Sequence, residues 1–168
     1  MNCEGDCNRA KKSEAASLAY AGAFLQKVKI TLRRDKMSKQ NPTDRLYSSD
    51  HEWAKDNSDG TVLIGITDYA QEMLTDIVFV ELPQIGKKVA KGAPVAVVES
   101  VKSVSDVYAP VSGEVIAVNN KLEEEPALIN QDAFGEGWIV RMRLENAAEL
   151  GSLLAAAAYD SLVQEEKH

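Results

Sequence analysis

Between residues 61 and 118 the chain consists largely of short β-forming runs punctuated by Pro and Gly, and this spacing is the strongest constraint on its fold. Residues 61–67 are a β-branched apolar run behind the turn signal Asn57-Ser58-Asp59-Gly60, so they are expected to pair as a hairpin with the segment around Glu52, Trp53 and Ala54. Residues 77–82 form the next strand, closed by Pro83-Gln84-Ile85-Gly86. Lys88-Val89 then leads to a turn at Lys91-Gly92, and residues 94–100, 104–108 and 114–118 complete the set. Strands this short, separated by turns rather than by helical crossovers, specify a small all-β sandwich or barrel and not a βαβ sheet.

The remaining segments read as short helices and one last strand. Thr67 or Asp68 caps a helix over residues 69–74, with Gln71 or Glu72 placed to bond back to the cap. Residues 122–125 read as an acidic loop, and residues 126–129 as a turn of helix with Pro126 at its first position. Residues 138–144 form the last strand, with Ile139, Arg141 and Arg143 on one face and Val140, Met142 and Leu144 on the other. The Ala/Leu-rich residues 147–154 and 157–164 are expected as helices packed on the β body, with their leucines in the core. A weak internal repeat, Pro83-x-x-Gly86 with Val89 and Pro110-x-x-Gly113 with Val115, lies on either side of Lys102.

At 168 residues with 45% hydrophobic content, the chain suffices for one ordinary domain and a tail. Residues 1–36 hold eight Lys/Arg and four Asp/Glu of totals of 19 and 26, leaving 11 basic against 22 acidic groups in residues 37–168. So acidic a body argues against nonspecific nucleic-acid binding, which draws on clustered Lys and Arg. The only cysteines, Cys3 and Cys7, fall in the tail, so the body has no disulfide framework, and two thiols fall short of a four-ligand metal site. No apolar run reaches the ~18–20 residues of a spanning helix, and no secretory signal pattern is present. Residues 1–36 are expected to be a flexible or non-native extension. A mitochondrial transit peptide is the alternative, weakened by Glu4, Asp6 and Glu14.

The segment Glu99-Ser100-Val101-Lys102-Ser103-Val104-Ser105-Asp106-Val107-Tyr108-Ala109-Pro110-Val111-Ser112-Gly113-Glu114-Val115 places a lysine between two β-rich stretches. On residue pattern alone an unbroken strand over residues 95–108 is the default, because the lysine lacks the Asn-Gly or Asp-Gly dipeptide of a favoured two-residue turn. The segment closely resembles the lipoyl-attachment site of the H proteins of the glycine cleavage system. Tyr47-Ser48-Ser49-Asp50-His51-Glu52-Trp53, Ile64-Gly65-Ile66-Thr67-Asp68-Tyr69-Ala70-Gln71, Asp76-Ile77-Val78-Phe79-Val80-Glu81-Leu82-Pro83 and Gly137-Trp138-Ile139 extend the resemblance in order. Val101 and Ser103 beside the lysine differ from the methionines of biotin carriers, and Val101 differs from the Asp of acyltransferase lipoyl domains.

The resemblance implies a mainly β barrel-sandwich hybrid of the biotinyl and lipoyl carrier type, with short helices and a C-terminal helical segment. It implies lipoic acid joined covalently to Lys102, framed by Glu99, Ser100, Val101 and Ser103. The arm would take an aminomethyl group from the glycine decarboxylase P protein to the aminomethyltransferase T protein and be reoxidised by the dihydrolipoyl dehydrogenase L protein, after loading by a lipoate ligase or lipoyl transferase. In the family the loaded arm folds into a surface cleft, where Glu52 is the carboxylate expected to meet its amine. His51 is expected to be local structure, and Tyr69 stands where the family often has His. A soluble, cytoplasmic monomer is expected, or a matrix protein if the extension is a transit peptide. The alternative is a lipoate relay that donates lipoyl groups to other enzymes.

Independent catalysis is not expected. The chain has no Gly-x-Gly-x-x-Gly after a strand, no P-loop, no His-Glu-x-x-His and no nucleophile elbow, and its only histidines are His51 and His168.

Overall fold

A computed structural model describes residues 40–167, so the expectations for residues 1–36 lie outside the described residues. The strands are β1 (Leu46–Tyr47), β2 (Glu52–Asp56), β3 (Thr61–Ile66), β4 (Ile77–Glu81), β5 (Lys88–Val89), β6 (Pro94–Ser100), β7 (Val104–Tyr108), β8 (Gly113–Val118) and β9 (Val140–Leu144). They form two antiparallel sheets, ordered β1-β2-β3-β9-β8-β5 and β4-β6-β7, neither closed on itself. The mainly β architecture therefore follows the turn spacing.

Local chemistry accounts for the turns. In the β2–β3 hairpin, Gly60 takes φ 82° and Asp59 Oδ1 accepts the Thr61 N–H at 2.9 Å. The two Pro-x-x-Gly turns meet directly. Gly86 N–H donates to the Val115 carbonyl at 2.7 Å, and β5 pairs with β8, setting Val89 opposite Gly113. Gly113 is required there because a Cβ would lie 2.2 Å from the Arg143 carbonyl oxygen.

The β-branched residues of both sheets close on one core in which Val62, Ile64, Val98, Val111, Val115, Ile139, Val140 and Met142 are fully buried. Each such side chain contributes about 1.5–3 kcal/mol on removal from water. A second cluster, Tyr47, Trp53, Ala156, Tyr159 and Val163, lies under helix α4 (Ala156–Glu166).

Helix α1 (Asp68–Leu74) begins at the expected N-cap, where Thr67 Oγ1 accepts the Ala70 N–H at 3.3 Å. The expected return bond from Gln71 to the cap is not made. The Thr67 N–H already donates to the His51 carbonyl at 2.9 Å, and Gln71 Nε2 turns to Asp68 Oδ1 at 3.1 Å.

Several expectations fail where tertiary packing overrides local pattern. The acidic loop is helix α2 (Lys121–Glu124), anchored by the fully buried Leu122. Pro126 is not the first helical residue: its carbonyl accepts the Ile129 N–H at 3.2 Å, and helix α3 (Leu128–Gln131) starts past it. The last strand begins at Val140 and not at Trp138, although Ile139 ahead of it already donates its N–H to the Ile64 carbonyl at 2.8 Å. Residues Ala147–Ser152 form a 3-10 helix instead of an α-helix. The C-terminal leucines are half-buried. The buried stripe of α4 is Ala156, Tyr159 and Val163, since the Tyr47 and Trp53 rings fill the space beneath that face.

Candidate functional site

The strand expected from pattern alone over residues 95–108 is broken at the lysine. Ser100 N–H donates to the Ser103 carbonyl at 2.8 Å, closing a two-residue loop whose central residues are Val101 and Lys102. Neither has a positive φ; among the described residues, the non-glycine positions that do are His51, Ser58 and Thr75. The turn is thus not of the primed type that demands Asn-Gly. The Ser100 side chain replaces that requirement, as its Oγ accepts the N–H of Lys102 at 3.2 Å and of Ser103 at 3.0 Å and donates to the Ser103 carbonyl at 3.0 Å. Val101 N–H donates to the Asp76 carbonyl at 3.0 Å, tying the loop to the start of the neighbouring strand.

The consequence is a stiff tip with an exposed primary amine. Lys102 is exposed, and its Nζ makes no hydrogen bond or ion pair with the described residues. Apolar side chains surround the tip in solvent: Val101 is 68% exposed, Val104 63% and Phe79, which pairs beside Glu99, 49%.

Glu52 sits apart from the hairpin, at the start of β2, and is only 3% exposed. Ser48 Oγ donates to Glu52 Oε2, and the Tyr108 N–H donates to Oε1 at 3.0 Å. Burial pushes the carboxyl above its ordinary range, opposed first by the Ser48 hydrogen bond and then by the Tyr108 N–H. The residue is therefore a fixed buried acceptor and not a solvated surface acid. Each of its oxygens retains a lone pair for a further donor.

Glu52 and Asp50 border two clefts. One, about 190 Å³, is lined by Asp50, His51 and Glu52 on the β2 side, by Ala70, Met73 and Leu74 on the α1 side, and by Ser105 to Val107 of β7. Ser105, in β7, lies three residues beyond Lys102 in the chain. The second, about 350 Å³, runs past Tyr47, Lys91, Tyr108 and Leu154. The β7 cleft is apolar on the α1 side and carries the carboxylates of Asp50, Glu52 and Asp106.

Five of the six site residues named from sequence, Glu99, Ser100, Val101, Lys102 and Ser103, thus share one hairpin, while Glu52 lies in the cleft that β7 enters. Sequence reasoning missed Ser48, Asp50 and Asp106, whose roles arise only when β1, β2 and β7 meet. His51 is structural: its Nδ1 lies 2.8 Å from the Tyr159 hydroxyl, and Tyr69 packs edge-on to its ring at 4.8 Å. Among the described residues no group of three or more His, Cys, Asp or Glu could hold a metal, and no helix is long and apolar enough to cross a membrane.

The profile of the glycine cleavage H-protein family matches residues 45–166. The glycine cleavage system H protein of Thermus thermophilus is 54% identical over 125 residues, covering 74% of this chain and 97% of that protein. That of Idiomarina loihiensis is 49% identical over the same length and with the same coverage. Among solved structures, the crystal structure of a glycine cleavage system H protein from Mycobacterium marinum superposes with a TM-score of 0.68 at 40% identity, over 74% of this chain and 99% of that one. The two unclosed sheets are thus the lipoyl-carrier-like barrel-sandwich fold expected from the sequence.

Proposed function

The chain belongs to the glycine cleavage H-protein family, and on that basis we propose that it carries lipoic acid as an amide on Lys102 and shuttles the aminomethyl group of glycine from P protein to T protein. In this reading L protein reoxidises the arm, a lipoate ligase or lipoyl transferase loads it, and the chain itself catalyses no step. The work is done in the cytoplasm. The observation that carries the reading is the exposed amine of Lys102, without a partner among the described residues, at the tip of a side-chain-braced hairpin.

The residues fit the group. A ligase needs a primary amine on a protruding turn, and Lys102 presents an exposed one. Acylation removes the charge there and leaves a long flexible tether, which keeps the cargo at high local concentration for each partner without tight binding. When bound, the lipoyl group supplies the sulfur chemistry that accepts and releases the one-carbon unit. The chain's own part is to brace the turn through Ser100, to offer an apolar wall from α1 and to hold an anion at Glu52. An ammonium entering the cleft meets that carboxylate as a charge-assisted hydrogen-bond acceptor.

The test is the intact mass of the protein coexpressed with a lipoate ligase and lipoate, beside the Lys102→Arg variant. A guanidinium is not a substrate for acylation and stays charged. One lipoyl increment, lost in the variant, supports the reading. No increment, with a known acceptor modified in parallel, removes it. Glycine–bicarbonate exchange with P protein then separates glycine cleavage from a lipoate relay.

A further inference from the structure

We propose that Tyr159 is a positioning residue for the β7 cleft: its hydroxyl, reaching in from the C-terminal helix, ties together the two walls between which the arm would lie. The inference rests on the reading of that cleft as the seat of the loaded arm. Tyr159 does not line the cleft. It is fully buried behind it, stacked on Tyr47 with ring centroids 4.7 Å apart. Its hydroxyl lies 2.8 Å from His51 Nδ1 and 2.7 Å from Thr67 Oγ1. His51 belongs to the wall that carries Asp50 and Glu52, whereas Thr67 caps the helix that supplies Ala70, Met73 and Leu74 to the opposite wall.

The hydroxyl sits in the middle of a run of polar groups. Thr67 Oγ1 receives the Ala70 N–H at 3.3 Å and faces the Tyr159 hydroxyl, which also faces His51 Nδ1, and on the other side of that ring Nε2 lies 3.2 Å from Glu166 Oε2. A hydroxyl both donates and accepts, so Tyr159 serves Thr67 and His51 at once.

Two features make the hydroxyl matter beyond docking the helix. His51 adopts φ 71°, a conformation that residues with side chains rarely take, so its position must be held by its surroundings. Only one other bond joins the same two residues, from the Thr67 N–H to the His51 carbonyl at 2.9 Å. The hydroxyl adds a second tie between these residues, beside the β2–β3 ladder that sets Glu52 opposite Ile66, and so restrains how α1 sits against β2. Glu52, next in sequence to His51, inherits that alignment.

The experiment compares Tyr159→Phe, which keeps the ring stack and removes the hydroxyl, with Val163→Ala, which thins the same helix interface without touching the network. In unmodified protein, amide hydrogen exchange is read at Thr67, Ala70 and Tyr108. Separately, lipoylated protein is reduced and loaded with formaldehyde and ammonia, and the rate of cargo loss is compared with that of free dihydrolipoamide loaded in the same way. The expected result is that Tyr159→Phe exchanges and loses cargo about threefold to tenfold faster than the parent, while Val163→Ala matches the parent in both. Parent-like exchange in Tyr159→Phe, or equal acceleration in Val163→Ala, overturns the proposal. Faster exchange in Tyr159→Phe alone, with cargo on the parent lost as fast as from free dihydrolipoamide, upholds the positioning role and refutes the cleft as the arm's seat.

Discussion

The indole of Trp53 lies against the backbone of Gly65, its cross-strand partner, so closely that a Cβ at Gly65 would sit 2.7 Å from the ring's Cζ2. The ring cannot retreat, because its Nε1–H is shared between the Ile66 carbonyl at 2.9 Å and the Ala133 carbonyl at 3.0 Å. Gly65→Ala is therefore expected to destabilise the fold by about 1–3 kcal/mol through overpacking. Urea unfolding measures this; a midpoint within error of the parent would mean the ring moves freely.

Ser100→Ala removes the side chain that braces the lysine turn while leaving the Ser100–Ser103 backbone bond in place. The hairpin tip is exposed, so a stability loss of no more than about 1 kcal/mol is expected. Lipoyl transfer to Lys102 should slow severalfold, because the ligase then meets a looser turn. Initial rates by mass spectrometry beside a thermal melt separate the two effects, and an unchanged rate would show the side-chain brace to be dispensable.

Glu52 makes the fold's stability depend on pH in a defined direction. Its folded-state pKa is raised by burial above the ordinary 4.5, so the folded protein holds the proton at a pH where the unfolded chain has released it. The stabilisation of the protonated form is present at low pH and is lost as pH rises from 4.5 through the raised value. Relative to Glu52→Gln, the parent should thus be less stable at about pH 8 than at about pH 4. Paired urea titrations at both pH values decide the matter, and a difference of opposite sign would contradict the burial argument.

Asp44 acts in the opposite sense. Hydrogen bonds from Arg45 and Lys55, each at 2.9 Å, lower its pKa from 3.8 to about 2. The stabilisation is present above 3.8 and disappears as pH falls through about 2. Because the carboxylate is about half exposed, solvent screening keeps the effect below about 1 kcal/mol. Asp44→Asn should therefore flatten the acid limb of the stability curve without changing stability elsewhere by more than that amount. An acid limb identical to the parent's would assign the loss to other carboxylates.

Much of the fold was legible in the chain. The strands on either side of the lysine and the hairpin of residues 52–67 were expected from turn spacing, while the lysine and its four neighbours were singled out by the resemblance of residues 99–115. The turn itself was not, since its mechanism is a serine side chain substituting for the glycine that primed turns need. Helix α2 was also missed, because Glu123, Glu124 and Glu125 give no apolar period and Leu122 is its one buried side chain. The leucine-rich tail was legible in part: Leu153, Leu154 and Leu162 pack half-buried against the core, but its fully buried stripe is Ala156, Tyr159 and Val163, seated on Tyr47 and Trp53.

By itself, then, the sequence determined the order of most strands and turns, because backbone preference and alternation act over a few residues, whereas Lys102 was singled out by the resemblance of residues 99–115 and not by local pattern. The tertiary structure alone decided that Glu52 is buried, that α1 faces it across a cleft and that a hydroxyl from the far end of the chain joins the two. Those relations depend on how segments around residues 50, 70, 106 and 159 exclude water from one another, and such packing is a property of the assembled surfaces that no local pattern encodes.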